Sequence, residues 1–500
     1  MTFQMPRLVI AALRGGSGKT VVSLGLVAAL RRLHGLRIIP FKKGPDYIDA
    51  GWLAVAAQHP CYNLDPFLMG PDEMLSSFVQ HSLEGDGCVI EGNRGLYDGM
   101  DIEGSCSTGE LAKLLRAPVL LVLDATKVTR TAAAMVLGCL HLDPEVHIAG
   151  VILNRVAGKR HESILRGSIE RYCDIPVLGV VPKEKGDSFF PERHMGLIPP
   201  QEHGRIPDAV EFAAARMENC LDLDAIWRIG QDAPPLGLSA PSYRISGNRA
   251  EEQQPEPVVV GVVRDAAFQF YYPENLEALR KKGAVIKEIS SLEDRVLPKV
   301  DALYIGGGFP ETHLDVLAAN EGFRQSVRRA IEDGLPVYAE CGGLMFLCTG
   351  IRSRDDNFPM AGIFPFDVIL EKKPQGHGYT VLECVKDNPY FPRGFVFRGH
   401  EFHYSRIICN EKNPSTSQSY VFRLQKGHGI VAGWDGLCYK NTLASYSHIH
   451  AVGNDHWAEA IISAALRFRP EKSFEINGMK DPETGRRLSA LGMHMCLTAT

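Results

Sequence analysis

RLVIAALRGGSGKTVVSLGLVAALRRLHG, residues 7–35, joins a β-branched apolar run to a glycine-rich corner and then to a helical pattern that stops at Gly35. A strand, loop and helix in that order aim several backbone N–H groups and a helix N-terminus at one point, where phosphates bind. Within the corner, Gly15, Gly16, Ser17 and Gly18 form the loop, Lys19 reaches for β- and γ-phosphates, and Thr20 offers a hydroxyl to magnesium. The usual first glycine of such a loop is replaced by Leu13. The bland alternative is a glycine-rich β-α turn.

Working outward, LRIIPF, GCVIEG, APVLLVLDA, HIAGVILN and PVLGVVP recur at intervals that fit a parallel sheet with helical crossovers. The expected architecture is α/β, with an N-terminal doubly wound P-loop NTPase-like sheet. Ligands in such sheets sit at the carboxyl ends of the strands. Polar segments stand there: KKGPDYIDAG, EGNRGLYDGMD, DATKVTR and NRVAG. Asp46, Asp49, Glu91 and Asp98 each read singly as a cap or a solvated turn. Together beside a phosphate loop they point to magnesium and substrate handling, because Mg²⁺ takes carboxylate and phosphate oxygens. Asn154, ending GVILN, is expected to read an adenine edge or to serve as a turn asparagine.

The bounds agree with a soluble globular protein of two or three domains. Five hundred residues exceed one ordinary core. A net charge of -5, with no basic block, argues against nucleic acid. No apolar run is long enough to span a membrane, and the N-terminus lacks a cleavage pattern, so cytoplasm is expected. Twelve cysteines without a C-x-x-C pair speak against zinc and against a secreted disulfide framework.

Residues 232–257, DAPPLGLSAPSYRISGNRAEEQQPEP, have linker composition. The expected domains are 1–235, a linker at 236–256, a second domain at 257–468 and a tail at 469–500. In the second domain VVVGVV restarts a strand, and PVYAE runs into Cys341 and then GGLMFL. That is a strand-to-helix elbow, which exposes a nucleophile at a helix N-terminus, where a thiol pKa is expected to fall. Histidines to activate it are His403, His448 and His450. The amides of Gly306, Gly307 and Gly308, with that of Gly342, are expected to form an oxyanion hole. The alternative is a buried structural thiol.

These motifs carry a resemblance. The second half resembles a class I glutamine amidotransferase domain with a flavodoxin-like sheet, and the first a dethiobiotin-synthetase-like ATP-binding domain. KKGPDYIDAG, GLYDG, GGGFPE, ECGGLMFL, HEFHYS and ASYSHIH in this order resemble the cobyrinic acid a,c-diamide synthase family over roughly residues 6–467.

The resemblance implies ATP- and glutamine-dependent amidation of two acetates on a tetrapyrrole macrocycle, through a Cys341 thioester, internal ammonia transfer and an acyl phosphate. It places the catalytic pair on Cys341 and His448. It puts ATP on residues Gly15–Thr20, magnesium on Thr20, Asp46 and Glu91, and substrate or intermediate on Asp46, Tyr47, Asp49 and Asp98; the residues themselves, and not the resemblance, add Asn154 to the ATP site and Arg94 to the substrate site. A homodimer is left open.

Two departures stand out. Class I amidotransferases commonly carry Glu two residues after the histidine, where this chain has His450. Corrin-amidating members typically have an apolar pair where Asn93 and Arg94 stand. An arginine there adds a carboxylate or phosphate partner, and it leaves sirohaem or a related sirohydrochlorin open as the macrocycle. The rivals are a P-loop ATPase switch, a cobyric acid synthase and a tetrapyrrole carrier without amide chemistry.

Overall fold

In a computed structural model the glycine-rich corner does join two regular elements, the fully buried strand Arg7–Ala12 and the helix Lys19–His34. The structure describes residues 2–183, 190, 192–193, 196–237, 256–353, 356–409 and 420–469. Most of the expected linker, 238–255, and the tail from 470 lie outside them.

The strand Arg7–Ala12 is central to a seven-stranded parallel sheet. Its order is Tyr62–Leu64, Ile38–Lys43, Gly87–Glu91, Arg7–Ala12, Val119–Asp124, Ile148–Val156 and Val177–Pro182. Strands buried on both faces need continuous apolar runs, which VLLVLD and IAGVILN supply. The chain moves to one side of the first strand and later to the other, so a crevice opens at its carboxyl end beside the phosphate loop.

The second sheet has ten strands. Ala284–Ile289, Val258–Val263, Ala302–Ile305, Val337–Glu340 and Thr442–Ser445 are parallel. Trp434–Tyr439, Tyr420–Lys426, Gly376–Cys384, Val396–His403 and His448–Ile449 then continue it antiparallel. The parallel half is the doubly wound sheet expected; the antiparallel half was not anticipated. Only Tyr446 and Ser447 separate the fifth strand from the tenth, so the sheet curls back on itself beside the elbow.

The two halves share a polar and aromatic seam. Asn63 donates its backbone N–H to Glu274 at 2.9 Å, and His81 and Tyr62 both bond Glu277, at 2.9 and 3.1 Å. Tyr379 donates to Asp65 at 2.9 Å and stacks on Phe67 with ring centroids 4.3 Å apart. Among the described residues no helix is long and apolar enough to cross a membrane.

Candidate active site

The phosphate loop is held open from below. Gly18, at φ +88°, uses a conformation that L-residues avoid, and a Cβ there would lie 2.3 Å from the Asn154 amide nitrogen. That amide donates to the Ser17 carbonyl at 2.8 Å, while its oxygen accepts from the Arg155 N–H at 2.9 Å. Asn154 therefore braces the loop in this arrangement instead of presenting its amide to a base. Lys19 reaches the Arg94 carbonyl at 2.9 Å, and the Thr20 hydroxyl donates to Glu91 at 2.8 Å.

The expected acids do converge, around a group that sequence reading passed over. Lys42 lies 2.7 Å from Asp49, 2.9 Å from Glu91 and 3.9 Å from Asp46. Burial opposes the Lys42 ammonium, but the three carboxylates outweigh it and hold the pKa well above the ordinary lysine value. The two aspartates are driven apart. Burial and the neighbouring Asp49 push Asp46 up to about 7, whereas Asp49 stays low because Lys42 outweighs its own burial. Lys42 stands at the centre where a metal was expected. The signal for it was a lysine ending a buried strand, in FKKG.

Among the described residues no group of three or more His, Cys, Asp or Glu is arranged to hold a metal ion. Magnesium bound with a nucleotide needs fewer protein ligands, since phosphates and water complete its shell. Glu91 Oε2 is buried without a partner beside the Thr20 hydroxyl contact, and that orphaned oxygen fits such an ion. Asp98 accepts from the Gly95 N–H at 2.8 Å and so shapes the turn as well as facing the crevice.

In the second half Cys341 sits between the strand Val337–Glu340 and the six-residue helix Gly342–Leu347. Its φ of 46° and ψ of -98° are strained for a non-glycine residue, as an exposed-nucleophile corner requires. The thiol is nevertheless 7% exposed, and burial pushes its pKa up, outweighing the Gly342 N–H that favours thiolate. The expected fall is corrected: desolvation exceeds the effect of so short a helix.

One expected oxyanion donor is also corrected. The Gly306 N–H already donates to the Tyr271 hydroxyl at 2.7 Å. Gly308 and Gly342 lie close together, since a Cβ on Gly342 would stand 3.2 Å from the Gly308 nitrogen.

His448 has a carboxylate partner after all. Glu340, the residue before Cys341, places Oε2 3.4 Å from His448 Nδ1 and takes further hydrogen bonds from Tyr304 at 3.0 Å and the Ile449 N–H at 3.2 Å. Burial lowers His448 to about 3 and raises Glu340 to about 8. Sequence reading sought this acid after the histidine; the one signal was a glutamate closing an otherwise apolar strand. Asp435 accepts from Ser445, Tyr446 and Ser447 and so fixes the approach to His448. His450 instead turns to Glu274, 3.6 Å away, and His403 stacks on Tyr446 at 3.6 Å.

A single cavity of about 670 Å³ joins the halves. Cys341, His448 and Gly308 line one side, and Asp46, Tyr47, Arg94 and Asp98 the other. Tyr47 stacks on Phe270 across the seam at 4.0 Å. A phosphate-loop domain whose Asp46 and Asp98 share a cavity with a cysteine-histidine elbow has the arrangement of a glutamine-dependent, amide-forming ligase with a nucleotide-binding ATPase domain.

Comparison with known proteins agrees. Residues 8–198 match the CobQ/CobB/MinD/ParA nucleotide binding domain, and residues 259–456 the CobB/CobQ-like glutamine amidotransferase domain. The cobyrinate a,c-diamide synthase of Magnetococcus marinus is 43% identical over 458 residues, 92% of this chain and 97% of that protein. That of Archaeoglobus fulgidus is 36% identical over 468 residues, 93% and 99% of the two chains. The chain belongs to the cobyrinate a,c-diamide synthase family.

Proposed function

We propose that this enzyme amidates the a and c acetates of cobyrinate, a step of cobalamin synthesis, with ATP and glutamine. The observation that carries the reading is the shared cavity, with the Cys341 elbow on one side and the acids of the nucleotide-binding half on the other.

At the elbow, His448 takes the Cys341 proton as sulfur attacks the glutamine amide carbon, and the Gly308 and Gly342 N–H groups face the developing oxyanion. Glu340, protonated while His448 is neutral, ionises beside the imidazolium so formed and stabilises it. His448 returns the proton to the departing ammonia, and water then cleaves the thioester to glutamate.

Beyond the cavity the substrate carboxylate needs a better leaving group than oxide, so ATP phosphorylates it to an acyl phosphate. Lys19 balances charge on the transferring phosphoryl group. Thr20 and Glu91 would hold Mg²⁺, which when bound neutralises phosphate charge. Ammonia attacks the acyl carbon, phosphate leaves, and Asp46, with a pKa near neutrality, accepts the proton released. Ammonia confined to the cavity escapes protonation by bulk water.

Arg94 on the cavity wall favours a second reading, the same chemistry on sirohaem. Mass spectrometry of products formed with ATP, magnesium and glutamine, from cobyrinic acid and sirohaem in parallel, separates the two. Two amides on cobyrinic acid are expected; amides on sirohaem alone would replace the first reading with the second, and no amide on either would end both.

A further inference from the structure

Lys43 follows Lys42 on one strand, so their side chains leave opposite faces. Lys42 goes to the acids beneath the phosphate loop, and Lys43 lines the cavity. Only 6% of Lys43 is exposed, and among the described residues it makes no hydrogen bond or ion pair.

The surrounding acids are all engaged elsewhere. Asp65 accepts from the Phe67 and Leu68 N–H groups and from the Tyr379 hydroxyl. On the cavity wall, Asp98 takes the Gly95 N–H and Glu401 takes the N–H groups of His428 and Gly429. Asp46 caps Asp49 and faces Lys42. Burial accordingly lowers the Lys43 pKa, and Arg94 and Lys42 lower it further against the pull of Asp65. The Lys43 stem is buried while its ammonium opens to the cavity, where a ligand can meet it.

Arg94 stands on the same wall, at a φ of 53° that non-glycine residues seldom adopt. Lys426 and His377 contribute from the amidotransferase half. The cavity volume is that of a small-molecule site; its acids Asp98 and Glu401 already accept backbone N–H groups, which leaves Lys43 and Arg94 to meet the carboxylates of a ligand.

We propose that Lys43 and Arg94 form an anchoring subsite for a peripheral carboxylate of the macrocycle, one that is not itself being amidated. By gripping that group they set which acetate meets Asp46 and the nucleotide. This rests on the tetrapyrrole reading given above.

The test uses the full-length enzyme with cobyrinic acid and, in parallel, sirohaem. Loss of one charge-assisted hydrogen bond in Lys43→Met should raise the KM for the macrocycle about 10- to 100-fold, with ammonia or glutamine as donor alike. The KM for ATP should move less than about twofold, and Lys43→Arg should restore most of the loss. A fluorescence titration of each variant with the macrocycle, without ATP or glutamine, should show the same weakening. If wild type amidates a macrocycle and Lys43→Met binds it as tightly, the subsite is wrong while the function stands. An equal rise in the KM for ATP would make Lys43 a phosphate ligand and overturn the proposal. If wild type neither binds nor amidates either macrocycle, the functional reading fails and this one with it.

Discussion

Cys341, His448 and Glu340 divide one proton problem among three buried groups. Burial favours the protonated thiol, so in the proposed reaction His448 takes that proton as sulfur attacks. Cys341→Ser should reduce glutamine-dependent amidation by about 10⁴-fold or more and leave ammonia-dependent amidation largely intact; loss of both would give the cysteine another role. Glu340→Gln keeps the shape but removes a carboxyl that can ionise beside an imidazolium, which a neutral amide cannot do. Glutaminase turnover should fall on the order of 10²-fold, and a variant at wild-type rate would exclude Glu340 from the relay.

The same residue has a stability signature. Its folded pKa is raised from 4.5 to about 8, so the native state retains a proton that the unfolded chain releases. That contribution is complete below the unfolded value and is lost as pH rises through the folded one. Between about pH 5 and pH 9 wild type should therefore lose more stability than Glu340→Gln, as read from denaturation midpoints. Equal losses would contradict the shift.

Among the elements, loops position this chemistry more than helices do. The elbow can form because the turn at Gly306–Gly308 leaves room for the histidine: a Cβ on Gly307 would lie 2.5 Å from His448 Cε1 and 3.3 Å from Phe270. Gly307→Ala should displace the imidazole and cut glutamine-dependent turnover at least about tenfold, with ammonia-dependent turnover preserved. Equal loss in both assays would mean that the substitution disturbs the fold. His448 reaches the elbow because only two residues separate it from Thr442–Ser445, and that strand pairs with Val337–Glu340, Ser445 opposite Glu340. Pairing of Gly399 and His400 with Ile449 and His448 then holds it there.

Across the whole molecule, the proposed coupling of glutamine hydrolysis to amidation rests on the seam. Tyr379 couples the halves through its bond to Asp65 and its stack on Phe67. Tyr379→Phe removes a hydrogen bond to a buried carboxylate, a loss of about 1–3 kcal/mol. The amides formed per glutamine hydrolysed should fall below the wild-type ratio as ammonia leaks from the cavity. Parallel measurement of glutamate and amide checks this, and an unchanged ratio would place the seal elsewhere.

Much of the architecture was legible in residues 7–35 and in the elbow, because period, glycine placement and strand-to-helix corners are local properties of a chain. Those stretches by themselves determined two α/β halves, a phosphate loop and a candidate thiol nucleophile. Tertiary structure alone decided the partners. Glu340 meets His448 across 108 positions of chain, Lys42 gathers Asp49 from the first turn of a helix and Glu91 from the end of a strand, and Asn154 supports a loop 137 residues earlier. Burial likewise reversed the expected thiol shift, since desolvation depends on everything packed around a group and not on its neighbours in sequence.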